Sequence, residues 1–174
     1  MRSVEQPKKE ITTIRDRLLN LRLSDADVQR LSEAAGKVGL TVSQLLENFI
    51  GDLVDGTYSN GSDERLLANQ WLERCGFDTE KSLLQYSLFY GWIDELLNAW
   101  DEKTELLQEI SDMEQHPEDT EEIADLKDEL SYQKEIIQTI FTEYRQYNPT
   151  CSDIADEMKS VLRWREDYRK LQYG

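Results

Sequence analysis

The side chains that most often carry out catalysis or hold a metal are few and scattered in this sequence. The single histidine, His116, stands before Pro117 in a predicted turn, where we expect a solvated side chain. No Glu-x-x-His pair, Walker-type phosphate loop or GxGxxG pattern occurs. Because a nucleophile needs a positioned base and a metal needs clustered ligands, we expect no enzyme, no bound metal and no cofactor.

The carboxylates and tryptophans also fit structural roles. The 36 Asp and Glu residues outnumber the 20 Lys and Arg residues, and most are expected on solvated helix faces, where they could also mimic the charge of DNA. The tryptophans occupy apolar positions of predicted helices, so we expect them in a core or an interface. They are Trp71, Trp92, Trp100 and Trp164.

One short stretch near the N-terminus alternates as a half-buried β-strand does. In residues 18–24, LLNLRLS, every second residue is a leucine, and Asn20 and Arg22 lie between these leucines on the other face. No second strand of similar quality follows, and a single strand leaves both of its edges unpaired. The sequence therefore predicts that a second copy of the chain supplies the partner strand, which gives an antiparallel ribbon and a homodimer.

Two predicted helices follow the strand. Ser24 is a typical N-cap of the first helix, which carries apolar residues at helical spacing and stops near Gly39. Thr41 and Gln44 fit a capping box for the second helix, which ends at Gly56. The second helix is apolar over so wide an arc that it also favours a partner.

This order of strand, helix, turn and helix resembles the ribbon-helix-helix family of bacterial DNA-binding proteins. The resemblance rests on NLRLS at 20–24, on the helix DADVQRLSEAAGKVG and on the segment GLTVSQLLENFI. It implies an intertwined dimer whose ribbon enters the major groove of double-stranded DNA at a palindromic site. The N-terminus of the second helix would hold a phosphate.

The resemblance assigns roles to individual residues. Asn20 and Arg22 would bind adenine and guanine edges, because each side chain can bond to two groove atoms at once. Backbone amides at 41–43 would bind the phosphate. The full set expected at DNA is Leu18, Asn20, Arg22, Thr41, Val42, Ser43, Arg15 and Arg17. The core of the dimer would consist of Leu19, Leu21, Leu23, Leu46, Phe49 and Ile50.

Two alternatives for the same segment stay open. A strand with one polar face usually turns that face to water, so Asn20 and Arg22 need not contact DNA. Ile11, Ile14 and Leu18 also fall at helical spacing with Leu21, which would make the segment a helix.

The charge of the chain is unevenly distributed. The whole chain has a net charge of −16, of which residues 57–174 carry −15, whereas residues 1–24 carry +3. Because DNA phosphates repel carboxylates, DNA binding is expected only at the N-terminal end.

The sequence as a whole predicts a mostly α fold, in which the short strand at 18–24 is the one β element. Residues 1–14 predict a flexible arm, residues 15–56 the ribbon-helix-helix module, and residues 57–62 a linker. Residues 63–174 then predict an acidic helical domain. Within it, 79–147 favours an antiparallel hairpin with a coiled-coil seam, interrupted by Gln133, and 152–171 a final helix.

The cysteines and the hydropathy indicate a compartment. Cys75 and Cys151 give neither a disulfide framework nor zinc-site spacing, which favours a reducing cytoplasm. No apolar run approaches the length of a membrane span, and the N-terminus lacks the apolar core of a signal peptide.

Two functions are compatible with these features. The first is a dimeric DNA-binding protein, as a transcriptional regulator or an accessory factor of a mobile element. The second is an acidic helical protein-interaction module, as an adaptor, an antitoxin or a DNA mimic, in which the ribbon only joins two copies. Retention on heparin would favour the first function, and retention only on an anion exchanger the second.

Overall fold

The computed structural model describes residues 10–76, 81–115 and 120–173. Residues 1–9 of the predicted arm and the predicted hairpin tip with His116 and Pro117 lie outside these ranges. Within the ranges, seven helices have defined bounds. They are α1 (Asp25–Lys37), α2 (Val42–Leu53), α3 (Ser62–Arg74), α4 (Leu83–Tyr90), α5 (Ile93–Gln115), α6 (Thr120–Tyr147) and α7 (Ile154–Tyr173).

The contacts divide the chain into two compact units. Unit 1 comprises residues 1–79 and 169–174, and unit 2 comprises residues 80–168. Unit 1 therefore holds α1, α2 and α3 together with the last turns of α7. Residues 57–62, which we predicted as a linker, lie inside unit 1.

The predicted N-terminal strand is wrong. Residues 14–24 form neither a strand nor a helix, and no β-strand occurs anywhere in the described ranges. The mostly α class is confirmed, but the resemblance to the ribbon-helix-helix family is overturned, because that fold requires a strand. Alternation of leucines gives a strand no stability by itself, since its backbone groups need a neighbouring strand to bond to.

The N-terminal caps predicted at Ser24 and Thr41 in unit 1 are confirmed. The Ser24 Oγ accepts a hydrogen bond from the Asp27 backbone N–H at 3.1 Å. At the start of α2, the Thr41 Oγ1 accepts from the Gln44 N–H at 3.2 Å, and the Gln44 Oε1 accepts from the Thr41 N–H at 2.9 Å. Each cap satisfies amides that the first turn of a helix leaves unbonded.

The loop after α2 is anchored to that helix within unit 1. The Asp52 carboxylate accepts hydrogen bonds from the Asn60 backbone N–H at 2.6 Å and from the Asn60 side-chain amide at 2.9 Å. The bond from the Asn60 side chain is the main cause that holds the pKa of Asp52 below its ordinary value. The loop also passes close to Gly51, where an added Cβ would lie 2.6 Å from the backbone carbon of Tyr58.

Unit 2 is built on a helical hairpin. α5 and α6 pack along each other, and the Lys127 Nζ contacts the Glu114 Oε1 at 2.6 Å towards the end where the two helices are joined. The first arm begins at Ile93 rather than near residue 79, because Gly91, in the left-handed conformation with φ +77°, ends α4. At ~1.5 Å per residue, the arms are roughly 35 and 40 Å long.

One hydrophobic cluster fills the base of this hairpin. Its buried members come from α4, α5, α6 and α7, and they are Leu83, Tyr86, Ile93, Leu96, Leu97, Ala99, Ile137, Ile140, Phe141, Tyr144, Met158 and Val161. A smaller cluster of Leu106, Ile110 and Leu130 continues the seam towards the tip. Gln133, the predicted polar interruption, is half-buried and donates to the Glu129 Oε1 of its own helix at 2.8 Å.

A polar cluster also closes the base. The Tyr144 hydroxyl donates to the Lys81 carbonyl at 2.9 Å, and the Asn148 side-chain amide donates to that carbonyl at 2.6 Å and to the hydroxyl at 3.1 Å. The Glu157 carboxylate accepts from the backbone N–H groups of Leu83 and Ser152, each at 3.2 Å. These bonds join Lys81, before α4, to the end of α6, and the start of α4 to α7.

The stability of unit 2 should fall in alkali because of Tyr144. Burial raises the pKa of this hydroxyl from 10.0 to about 12. A raised pKa means that the stabilisation is complete below pH 10 and is lost as the pH rises towards 12, because the unfolded chain releases the proton first. We expect the free energy of unfolding of Tyr144→Phe, measured with urea, to fall less than that of the wild type between pH 10 and about 12. Tyr132→Phe, which changes a tyrosine that is 58% exposed, is the matched control. If the free energy of unfolding fell with pH equally for the wild type and Tyr144→Phe, this expectation would be contradicted.

Candidate functional site

The residues expected at DNA lie in unit 1, most of them on the irregular segment before α1. Leu18 exposes 80% of its surface, and Asn20 and Arg22 are exposed as well. Leu19 and Leu21, on the predicted buried face, are also about half exposed, at 49% and 58%. The two sets of residues therefore do not separate into a buried face and a solvent face.

Arg17 has a structural partner in unit 1. Its Nη1 donates to the Leu171 carbonyl at 3.0 Å and to the Gln172 carbonyl at 2.6 Å. These carbonyls end α7, where the helix dipole favours a positive charge. Arg15 and Arg17 also border an open cavity of about 550 Å³, which is lined in addition by Glu10, Thr13, Ile14, Val54, Gly56 and Thr57.

The phosphate site expected at α2 is partly used by the helix itself. The Thr41 N–H is bonded to Gln44, so this amide is not available to an anion without breaking the cap. Val42 and Ser43 open the first turn of α2, with Val42 half-buried and Ser43 exposed. DNA contact by this end of the chain stays a prediction, and residues 10–76, which the structure describes, form no ribbon that would position it.

None of the six residues expected in the dimer core is buried within the chain. Leu19, Leu21 and Leu23 lie on the irregular segment, Leu46 is half-buried, and Phe49 and Ile50 on α2 are exposed. The Phe49 ring packs with its edge towards the Trp71 ring of α3, with 5.8 Å between the ring centroids. The structure thus pairs Phe49 with a residue that the sequence analysis did not include.

A different feature stands out in unit 2, where the hairpin concentrates negative charge. Residues 93–147 hold seventeen Asp and Glu against four Lys and Arg, which is a net charge of −13 out of −16 for the whole chain. Between Glu105 and Glu129 there are eleven acidic residues and a single basic residue, Lys127, which is paired with Glu114. The outer half of the hairpin therefore carries charge that the hairpin itself does not neutralise.

Five of the eight acidic residues of α5 form a row. They are exposed and follow each other at intervals of seven, three, four and three residues, so they lie on one side of the helix. On α6, the exposed Glu129 carboxylate accepts a hydrogen bond from Gln133. We define these residues as the acidic face, which consists of Glu95, Glu102, Glu105, Glu109, Asp112 and Glu129.

A groove opens between the two arms at the start of the acidic face. Its volume is about 330 Å³, and it is lined by Glu95, Asn98, Ala99, Glu102, Gln133 and Ile136. Two carboxylates border a floor that includes Ala99 and Ile136. Such a groove suits a Lys or Arg side chain, because the apolar stem can lie on the floor while the charged group meets the carboxylates.

Lys103 is the one basic residue of α5. The Lys103 Nζ stands 3.2 Å from the centroid of the Trp100 ring. Burial is the main cause that lowers the pKa of Lys103, and the charge of Lys134 lowers it further. Lys103 therefore makes a cation–π contact with its own helix and is no ion-pair partner of the acidic face.

The acidic residues were expected on solvated helix faces, where they could also mimic the charge of DNA. The spacing of seven, three and four residues along 95–112 was the sequence signal that could have identified the row, but its exposed position depends on which side of α5 packs on α6. The part of the chain that the structure describes contains no group of three or more His, Cys, Asp or Glu residues arranged to hold a metal. Among its helices, none combines the length and the hydropathy that crossing a membrane requires.

Comparisons with known proteins do not extend this description. No protein-family model, curated protein or solved structure matches the chain. The candidate site therefore rests on its own residues.

Proposed function

We propose that this protein is an acidic helical protein-interaction module that binds a basic protein segment on the α5–α6 hairpin. The observation that carries the proposal is the acidic face, a row of exposed carboxylates backed by a packed helical core. Glu102, Glu105 and Glu109 make no hydrogen bond or ion pair within the described residues, so a partner can use them without breaking an internal contact.

The physical logic is electrostatic attraction followed by local contact. A face of one charge sign attracts the opposite sign and raises the rate of encounter, although each exposed ion pair adds only about 0.2–1 kcal/mol. Several pairs along one row add up, and the α5 row extends for roughly 25 Å at ~1.5 Å per residue. A Lys- or Arg-rich helix has the length and the spacing of charges to lie along it.

The groove adds a specific contact to this general attraction. A basic side chain placed between Glu95 and Glu102 would lie over Ala99 and Ile136. Such a site favours one orientation of the partner over others, because only one basic residue of the partner can occupy it. The proposal includes a cytoplasmic location, since Cys75 and Cys151 are both free thiols and would stay reduced there.

Binding of a basic model peptide tests this proposal. The probe is a labelled helical peptide of about 20 residues with Lys at every third and fourth position. We expect saturable binding at about 0.1 M salt, measured by fluorescence anisotropy, and loss of binding at about 1 M salt. The triple variant Glu102→Gln, Glu105→Gln, Glu109→Gln should bind at least about fivefold more weakly, since three exposed pairs are removed.

A second triple variant separates the acidic face from net charge. Glu33→Gln, Glu47→Gln and Glu73→Gln remove the same number of exposed carboxylates from unit 1. This variant should bind as the wild type does. Equal weakening by both triple variants would show that only net charge matters and would refute the site. Retention on heparin would favour DNA binding instead.

A further inference from the structure

Unit 1 buries almost none of its large apolar side chains. Among its described residues, the only buried hydrophobic side chains are those of Ala35 and Ala68. Gly51 and Asp52 are the other buried residues of its helices α1, α2 and α3. A folded unit needs buried apolar area to offset the entropy lost on folding, and beyond the two alanines unit 1 obtains it from side chains that are only half-buried, such as Leu45, Leu46 and Leu53.

Helices α2 and α3, with the residue that follows α2, carry one group of exposed apolar residues. Its seven large side chains expose between 41% and 64% of their surface, and they are Phe49, Ile50, Val54, Leu66, Leu67, Trp71 and Leu72. Two of them, Leu67 and Trp71, line an open groove of about 410 Å³ together with Gln70, Arg74 and Cys75. The edge contact of Phe49 on Trp71 extends this apolar surface from α3 to α2. We call this groove, with Phe49, the Trp71 groove.

We infer that a second copy of this chain covers the Trp71 groove, so that two chains associate through α2 and α3 of unit 1. This inference is independent of the proposed function, which concerns unit 2. It also differs from the ribbon predicted from the sequence, since the contact lies on helices and needs no strand.

The first argument for a second copy is the area. Half of a large side chain is about 100 Å², so the seven exposed residues offer roughly 700 Å², close to the ≈ 800 Å² that each partner contributes to a standard interface. A self-associating surface must be complementary to itself, and here apolar side chains both line the groove and project beside it.

The second argument is charge. Arg74 is the one charged residue that lines the Trp71 groove, so the groove presents a single charge rather than a charged surface. The residues 42–76 carry two Arg and six acidic residues, and Asp52 and Asp55 among these are engaged by Asn60 and Arg65. The hairpin, by contrast, has a net charge of −13 and would repel its copy. Two chains therefore meet with least repulsion through unit 1.

The mass of the full chain in solution tests the inference. Light scattering should give twice the 20.4 kDa of one chain, and dilution should lower this mass. Leu67→Glu, which places a charge in the groove, should give the mass of one chain. The matched control is Phe89→Glu, because Phe89 is the most exposed aromatic of unit 2 at 82% and the inference leaves it outside the interface. A single-chain mass for the wild type at every concentration would overturn the inference, as would an unchanged mass for Leu67→Glu.

Alkylation of the two thiols keeps the test decisive if Leu67→Glu fails to fold. Cys75 is exposed in one chain and lines the groove, whereas Cys151 packs against the core cluster of unit 2. We expect maleimide to label Cys75 of the wild type several-fold more slowly as the protein concentration rises, with no change at Cys151. A Cys75 rate that does not depend on concentration would also overturn the inference.

Discussion

Leu96→Ala should lower the free energy of unfolding of unit 2 by about 2–5 kcal/mol. Leu96 is fully buried on α5, among residues of the cluster that joins the hairpin to α4 and α7. Truncation removes apolar contacts and leaves a cavity that a packed core closes only in part. Because the acidic face is displayed by the same helix, this variant should also lose part of its affinity for a basic peptide.

Hydrogen exchange measured by mass spectrometry reports this effect separately for each unit. The matched control is Leu107→Ala, which makes the same change on the same helix at a residue that is 45% exposed. We expect Leu107→Ala to lower the free energy of unfolding by less than about 1 kcal/mol, because the Leu107 side chain buries less area and its truncation creates no enclosed cavity. If Leu96→Ala and Leu107→Ala lowered the free energy of unfolding by similar amounts, the hydrophobic cluster would not be what stabilises the hairpin.

Gly51→Ala should destabilise unit 1 by about 1–3 kcal/mol. The new Cβ would lie 2.6 Å from the Tyr58 backbone carbon and 2.8 Å from the Ser59 nitrogen. Backbone atoms cannot rotate away as a side chain can, so the loop must shift. That shift would strain the bonds between Asp52 and Asn60, which anchor the same loop.

The control for this substitution is also a glycine within a helix. Gly36 lies in α1, and a Cβ added there meets nothing within 4 Å. Gly36→Ala should therefore stabilise unit 1 by roughly 0.5–1 kcal/mol, because alanine loses less conformational freedom in a helix. Thermal unfolding of both variants gives the comparison. If Gly51→Ala were as stable as Gly36→Ala, the close approach of the loop to α2 would be disproved.

The starts of α1 and α2 could be predicted from local signals. Ser24 and the pair Thr41 and Gln44 act through backbone groups three residues away, so neither cap depends on the rest of the fold. Gly91 ends α4, because its left-handed conformation stops the helix, and α5 begins at Ile93.

Several features that depend on distant contacts were predicted wrongly or were missed. The strand at 18–24 required a partner for its backbone, and alternation of leucines could not show whether one existed. Periodicity also gave an apolar face to α2, which favoured a partner, and placed Trp71 in a core or an interface. Whether such a face is buried depends on what packs on it, and Leu67 and Trp71 are exposed in the chain. The exposed position of Glu102 likewise depends on the packing of α5 against α6.

The most direct test of the central claim, that the hairpin is the binding surface, is an NMR titration of labelled protein with the basic peptide. We predict that the largest amide shift changes occur at Glu102, Glu105, Glu109 and Glu129 and that they disappear at high salt. The amides of residues 15–24 should not move. Largest changes in residues 15–24, or no change in α5 and α6 at saturation, would contradict the account.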